Sequence, residues 1–335
     1  MSSTANMDYI KQILVIVDPT RRPGDSRSSA GEVPRDVAEE HPAVTKAAVL
    51  AEKFNARLEL FVCDTKAARD IRLSSHVRTH ADEPFPVNTK AFLERLAEPL
   101  RARGIDVTTE VASADPLHVG LIDRTRHTNA DLVVKDTHHH SLAQRTFLTN
   151  TDWQLIRGCP VPLLLTKSAP WTSAPRVVAA VDPGHVNDKP EILDHWIVEH
   201  ASLFAQKLQG ELHVLHVYLP LAIVGAATVT GPTMGASITP EELALEESNR
   251  RKLVTALVSE YNVAPENIHL ELGGPAQIVP IAASRIHADV MTMGAIARSG
   301  LRRIFVGSTA EDVLERLPCD ALIVKPPNFG DQVAL

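Results

Sequence analysis

The sequence predicts an α/β protein of two tandem domains, each a five-stranded parallel sheet with helices on both faces. Two observations carry that expectation. Short β-branched or leucine-rich runs alternate with stretches of helical spacing through the 335 residues, the pattern of strands joined by right-handed helical crossovers. The chain also repeats itself. Ile13–Pro19 (ILVIVDP) returns as Val177–Pro183 (VVAAVDP), Ala130-Asp131-Leu132-Val133 returns as Ala288-Asp289-Val290-Met291, and Cys159–Lys167 is echoed by Cys319–Lys325. Asp131 and Asp289, like Lys167 and Lys325, stand 158 positions apart, so the chain reads as two copies of one unit.

The elements follow in order. In the first copy, strands are expected at 13–18, 57–63, 106–112, 132–135 and 161–166, and helices at 43–55, 87–103, 116–127 and 151–157. The second copy gives strands at 177–182, 211–217, 268–272, 290–293 and 321–325, with a helix opening at Ser308. Between them SAPWTSAP, residues 168–175, has the prolines and small residues of a short connector. The domains are therefore expected at 1–168 and 169–335.

Composition narrows the function classes. A hydrophobic content of 44% suffices for two cores, and a net charge of −7 gives no general basic field for nucleic acid. Cys63, Cys159 and Cys319 are odd in number and far apart, which fits reduced thiols in a cytoplasmic setting. The first residues lack a leader pattern, and no run of about 18 apolar residues occurs, so membrane insertion is not expected. The chain also lacks a G-x-x-x-x-G-K-[ST] loop, a G-x-S-x-G elbow and an H-E-x-x-H pair. Glu241-Glu242 and Glu246-Glu247 read as the solvated face of an amphipathic helix. No base can be nominated, so the chain is not expected to be an enzyme, with slow hydrolysis of a bound ligand left open.

The informative stretch is Ala288–Pro327. A strand ends at Met293, a loop runs from Gly294 to Gly307, and a helix opens at Ser308. A strand leading through glycines into a helix N-terminus can turn unpaired N–H groups and a positive dipole end toward an anion. Gly294 and Gly307 keep Cβ atoms out of a ligand's path, and Ser308 suits either a helix cap or a phosphate contact. Asp18 and Asp182 fall at the carboxyl ends of the first strands, the rim where such sheets bind ligands; a turn with the following proline accounts for them equally well. Arg298, Arg302 and Arg303 read as solvated cations that could also meet phosphates.

This stretch resembles the C-terminal signature of the universal stress protein family: Gly, two residues, Gly, nine residues, Gly, then Ser or Thr. Here the positions read Gly294, Ala297, Gly307 and Ser308, so alanine stands at the second glycine. The resemblance covers nearly the whole chain. With Thr151-Asp152-Trp153 ahead of Arg157, Cys159 and Pro160, it is similar to the tandem two-domain members. It implies a Rossmann-like fold of the adenine nucleotide alpha hydrolase type and a role in stress response. It also implies a site for ATP or another adenine nucleotide at Asp182, Gly294, Gly307, Ser308 and Thr309. Family members pair through their last strands, so residues 161–166 and 321–324 imply domain pairing within one chain as a pseudo-dimer, with a homodimer or an unknown protein partner beyond it.

The 158-residue offset sets Asp136 against Gly294, His139 against Ala297, Thr149 against Gly307, Asn150 against Ser308 and Thr151 against Thr309. No glycine survives there, and Asp136 would repel phosphate. The first domain is therefore expected not to bind nucleotide. Asp136, His138, His139 and His140 are the candidate metal ligands, but adjacent histidines diverge and spacing fixes too few ligands, so no metal is expected. His213 and His216 fall on opposite faces of a strand and make no pair. The broken apolar stretch 219–237 reads as a surface loop, a lid or an apolar groove. Two alternatives to the nucleotide reading stay open: a scaffold acting through protein contacts, and a metal- or lipid-binding module.

Overall fold

Near-continuous apolar runs such as Ile13–Val17 and Leu58–Val62 lie buried on both faces, as strands inside a parallel sheet must. The computed structural model describes residues 10–18, 41–65, 85–139, 146–184, 192–220, 239–295 and 308–326. Backbone contacts divide the chain into two units, one running to Pro170 and the other from Trp171 to Pro326.

In unit 1 the elements are β1 (Gln12–Ile16), α1 (Pro42–Phe54), β2 (Arg57–Asp64), α2 (Phe85–Ala102), β3 (Val107–Ser113), α3 (Leu117–His127), β4 (Leu132–Asp136), the short pair β5 (His138–His139) and β6 (Thr146–Phe147), α4 (Asn150–Gly158) and β7 (Leu163–Thr166). The main strands are parallel in the order β7-β4-β1-β2-β3. β5 and β6 pair antiparallel, so the histidine loop begins with a short ladder rather than open chain.

Unit 2 repeats this with β8 (Arg176–Ala180), α5 (Ile192–Lys207), β9 (Glu211–Tyr218), α6 (Pro240–Leu257), β10 (Ile268–Leu272), α7 (Pro275–Ile286), β11 (Val290–Gly294), α8 (Ser308–Arg316) and β12 (Asp320–Val324). Its parallel order is β10-β9-β8-β11-β12. In each unit the order reverses between the first and fourth strands, β1/β4 and β8/β11. The crevice beyond their carboxyl ends is where a ligand is expected.

Local chemistry sets the boundaries. Proline opens α1, α6 and α7, where its missing N–H costs nothing. Asn55 and His287 end α1 and α7 in the left-handed conformation. Thr239 and Glu242 form a capping box at α6, and Glu246 and Glu247 pair with Arg250 and Arg251. Three of the four glutamates read from sequence as a solvated face are thus engaged in a cap or ion pairs.

Candidate functional site

Unit 1 fills its own rim. Asp136 ends β4 and is buried, its Oδ1 accepting from the Ala43 N–H at 2.7 Å and from the Thr166 hydroxyl at 2.8 Å. The carboxylate ties the first turn of α1 to β4 and β7, capping a helix N-terminus from a distant strand. The Asp136 carboxylate, expected to repel a phosphate, is thus engaged within the unit by Ala43 and Thr166. It also commits one of the candidate metal-ligand oxygens. Among the described residues no group of three His, Cys, Asp or Glu could hold a metal. The His138 and His139 side chains, and His140, lie outside them.

The α4 N-terminus is filled in the same way. Thr149 caps it, and its N–H and hydroxyl both donate to Asp152 Oδ2, at 2.7 and 2.8 Å, while Asp152 N–H donates back to Thr149 Oγ1 at 3.2 Å. Lys135 Nζ lies 2.7 Å from Asp152 Oδ1, with the carboxylate fully buried and the lysine nearly so. A carboxylate and its counter-cation thus sit where a helix end would otherwise receive a phosphate. Sequence reading missed this, although Thr149-x-x-Asp152 has capping-box spacing.

Unit 2 keeps the same scaffold with different groups. Asp182 lies two residues past β8, its side chain 39% exposed and its Oδ1 3.7 Å from His216 Nδ1. Its N–H donates to Asp194 Oδ1 on the first turn of α5, at 3.1 Å. His216 is fully buried on β9; its Nδ1 is 3.0 Å from the Val181 carbonyl, and its ring stacks on Tyr218 at 5.8 Å between centroids. Burial holds the His216 pKa below its usual value, against the opposing pull of the Val181 carbonyl and Asp182. The Arg250 guanidinium covers the Tyr218 ring at 5.8 Å, and a side chain at Gly184 would run into it.

Gly294 is the last residue of β11, paired with Val324, and not the first residue of the loop. The reason for glycine there also differs from the expectation. A Cβ would stand 2.7 Å from Leu193 Cδ2 and 2.9 Å from its Cγ, so the bare position lets α5 pack closely on β11. Ser308 is the first residue of α8, one place inside the cap position read for it, and Thr309 is exposed on the first turn. Gly307, Ala297 and the three arginines lie outside the described residues, as do residues 221–237 of the apolar stretch.

For an adenine nucleotide the described rim fits in one respect: the Asp182 carboxylate, its side chain 39% exposed, can accept ribose hydroxyls. The three cysteines form no disulfide; Cys159 and Cys319 are buried, and burial pushes the Cys63 thiol up to about 11, which makes it a poor nucleophile. Among the described residues no helix is long and apolar enough to cross a membrane.

Comparison with known proteins agrees with this architecture. The model of the universal stress protein family matches residues 36–167 and 175–325. Universal stress protein E of Salmonella typhi is 24% identical over 332 residues, spanning 98% of both chains. A protein of unknown function from Pseudomonas aeruginosa PAO1 superposes with a TM-score of 0.70 at 25% identity, covering 98% of this chain and 96% of that one. A universal stress protein from Archaeoglobus fulgidus shares the fold at a TM-score of 0.59 and 17% identity, over 95% of this chain and 99% of that one. With both repeats matched and the duplicated five-strand order in place, the chain belongs to the universal stress protein family.

Proposed function

We propose that the chain is a cytoplasmic stress-response protein whose second unit binds an adenine nucleotide, ATP in the first instance, while the first unit binds none. One observation carries the reading. At the same place in the fold, unit 1 spends its helix N-terminal donors on Asp136 and Asp152, whereas unit 2 has a glycine and no carboxylate at the position of Asp136, and an Asp182 side chain that is 39% exposed. Three of the four signature positions in the second copy support it; Ala297, at the fourth, argues for weak affinity. In this reading Asp182 takes the ribose, and Gly307, Ser308, Thr309 and the α8 N-terminus take the phosphates. In this reading the protein acts by binding and not by turnover. The duplicated chain is read as a built-in pair of domains.

Calorimetric titration of the full-length chain with ATP tests this. A one-site isotherm is expected, weakened about tenfold by Asp182→Ala, the share of one charged hydrogen bond. It should be abolished by Gly307→Val, whose branched side chain would stand in the phosphates' path. No heat with ATP, ADP or AMP would overturn the reading and leave a scaffold acting through protein contacts. Native mass spectrometry of the same sample reports oligomeric state and any ligand carried through purification.

A further inference from the structure

Two histidines away from the rim form a unit of their own. His213 near the start of β9 and His269 near the start of β10 face each other, with Nδ1 and Nε2 3.0 Å apart, ring centroids 5.3 Å apart and planes 16° from parallel. With the rings in line, each nitrogen points at the other, which is the geometry of a hydrogen bond. Two nitrogens bound to one tetrahedral ion at 2.0–2.1 Å would stand about 3.3 Å apart and aim at a third point. His213 Nε2 lies 3.3 Å from Glu211 Oε2. A carboxylate only accepts, so His213 carries its proton on Nε2, and its Nδ1 must accept from His269 Nε2–H.

We propose that the His213–His269 pair is an acid-responsive latch holding the outer strand β10 to the sheet of unit 2. The first added proton leaves the chain of hydrogen bonds intact, because His269 can take it on Nδ1 and still donate from Nε2. The second must go to His213 Nδ1. Donor then faces donor, and two cations abut.

The surroundings set the balance. Glu211 on β9 and Arg176 on β8 face His213; Arg285 on α7 and Glu271 on β10 face His269. With both imidazoles neutral these charges cancel; with both protonated the group carries two net positive charges. Burial, the largest influence, holds both histidines below their usual pKa. The folded state therefore binds fewer protons than the unfolded one, and the latch weakens as pH falls below about 6.5. β10 is the strand this would release, since among the described strands it pairs only with β9.

Hydrogen–deuterium exchange of the full-length chain, corrected for intrinsic rate, tests the latch at pH values of about 7.5 and 5.5. Strand β3 is the internal control, because it is the outer strand of unit 1 and has no histidine. Peptides over 268–272 should lose roughly tenfold more protection on acidification than those over 107–113, the effect of losing one net hydrogen bond. His269→Gln, whose amide can still donate to His213, should retain protection at neutral pH and abolish the difference. If that variant does not fold, His213→Gln takes its place. Wild-type β10 tracking β3, or an undiminished drop in the glutamine variant, would overturn the proposal. No nucleotide is involved, so the result is independent of the reading of the rim.

Discussion

The two rims of this protein are the same backbone carrying opposite chemistry. α4 and α8 begin 158 residues apart and have equal lengths, and β4 and β11 end at matched positions. Yet β4 ends in a buried carboxylate and β11 in a glycine. At the α4 N-terminus a carboxylate is tethered three residues away and neutralised by Lys135. A diffusing phosphate would have to displace a group that is always present at high effective concentration, and would leave it buried and unpaired. Duplication preserved the sheet order in both units. The site at its mouth was free to diverge, because any anion, internal or external, can satisfy a helix end.

Exchanging the two rim residues is the sharpest way to break this comparison. Asp136→Gly should have the largest effect, because it strands the buried Ala43 N–H and leaves the Thr166 hydroxyl only its longer bond to the Lys135 carbonyl, at 3.4 Å. A stranded buried donor costs about 1–3 kcal/mol, so about 3 kcal/mol is expected once the glycine's added unfolded-state freedom is included. Urea unfolding of the full-length chain measures it. The variant should still bind no nucleotide at unit 1, because Asp152 keeps the α4 N-terminus; ATP binding there would show that Asp136 alone closes the site.

The fold was legible because its signals are periodic and repeated. Strands such as 211–217 and 268–272 fell within a residue of β9 and β10, and the connector at 168–175 contains the break between the units. The rim was less legible, because a residue type does not say which way its charge is used. Asp136 looked like a repellent for phosphate and is a tether for α1. Gly294 looked like room for a ligand, and its bare Cα is first of all room for Leu193. His213 was correctly separated from His216 by strand alternation, but its partner His269 lies across a strand pairing that sequence spacing does not display. Asp152 was the one missed group with a local signal, three residues after Thr149.

The reciprocal exchange, Gly294→Asp, should have a smaller effect. Its carboxylate would meet Leu193 and stand beside Val324, where unit 1 has Thr166 as a donor. Overpacking and an unpaired charge at this partly exposed position set the expected loss at about 2 kcal/mol. ATP heat should vanish with it. Adding Leu193→Ala separates the two costs: it relieves the crowding and recovers part of the stability, but leaves the charge and therefore no binding. Recovery of binding in the double variant would mean that space, not charge, governs the rim.

The smallest expected effect is at the α4 cap. Thr149→Ala removes the hydroxyl that accepts from Asp152 N–H, and an N-cap threonine replaced by alanine typically costs about 1 kcal/mol. Thr149→Gly, which installs the residue found at the matched position 307, should cost only a few tenths of a kcal/mol, since glycine is itself a tolerated cap. In both variants the Thr149 N–H still reaches Asp152 Oδ2, and Lys135 still neutralises its other oxygen. Unfolding of the two variants should therefore differ by less than about 1 kcal/mol, and neither should gain nucleotide heat. A glycine variant that acquired ATP binding would locate the difference between the rims in one hydroxyl; one that does not leaves it with the buried carboxylates.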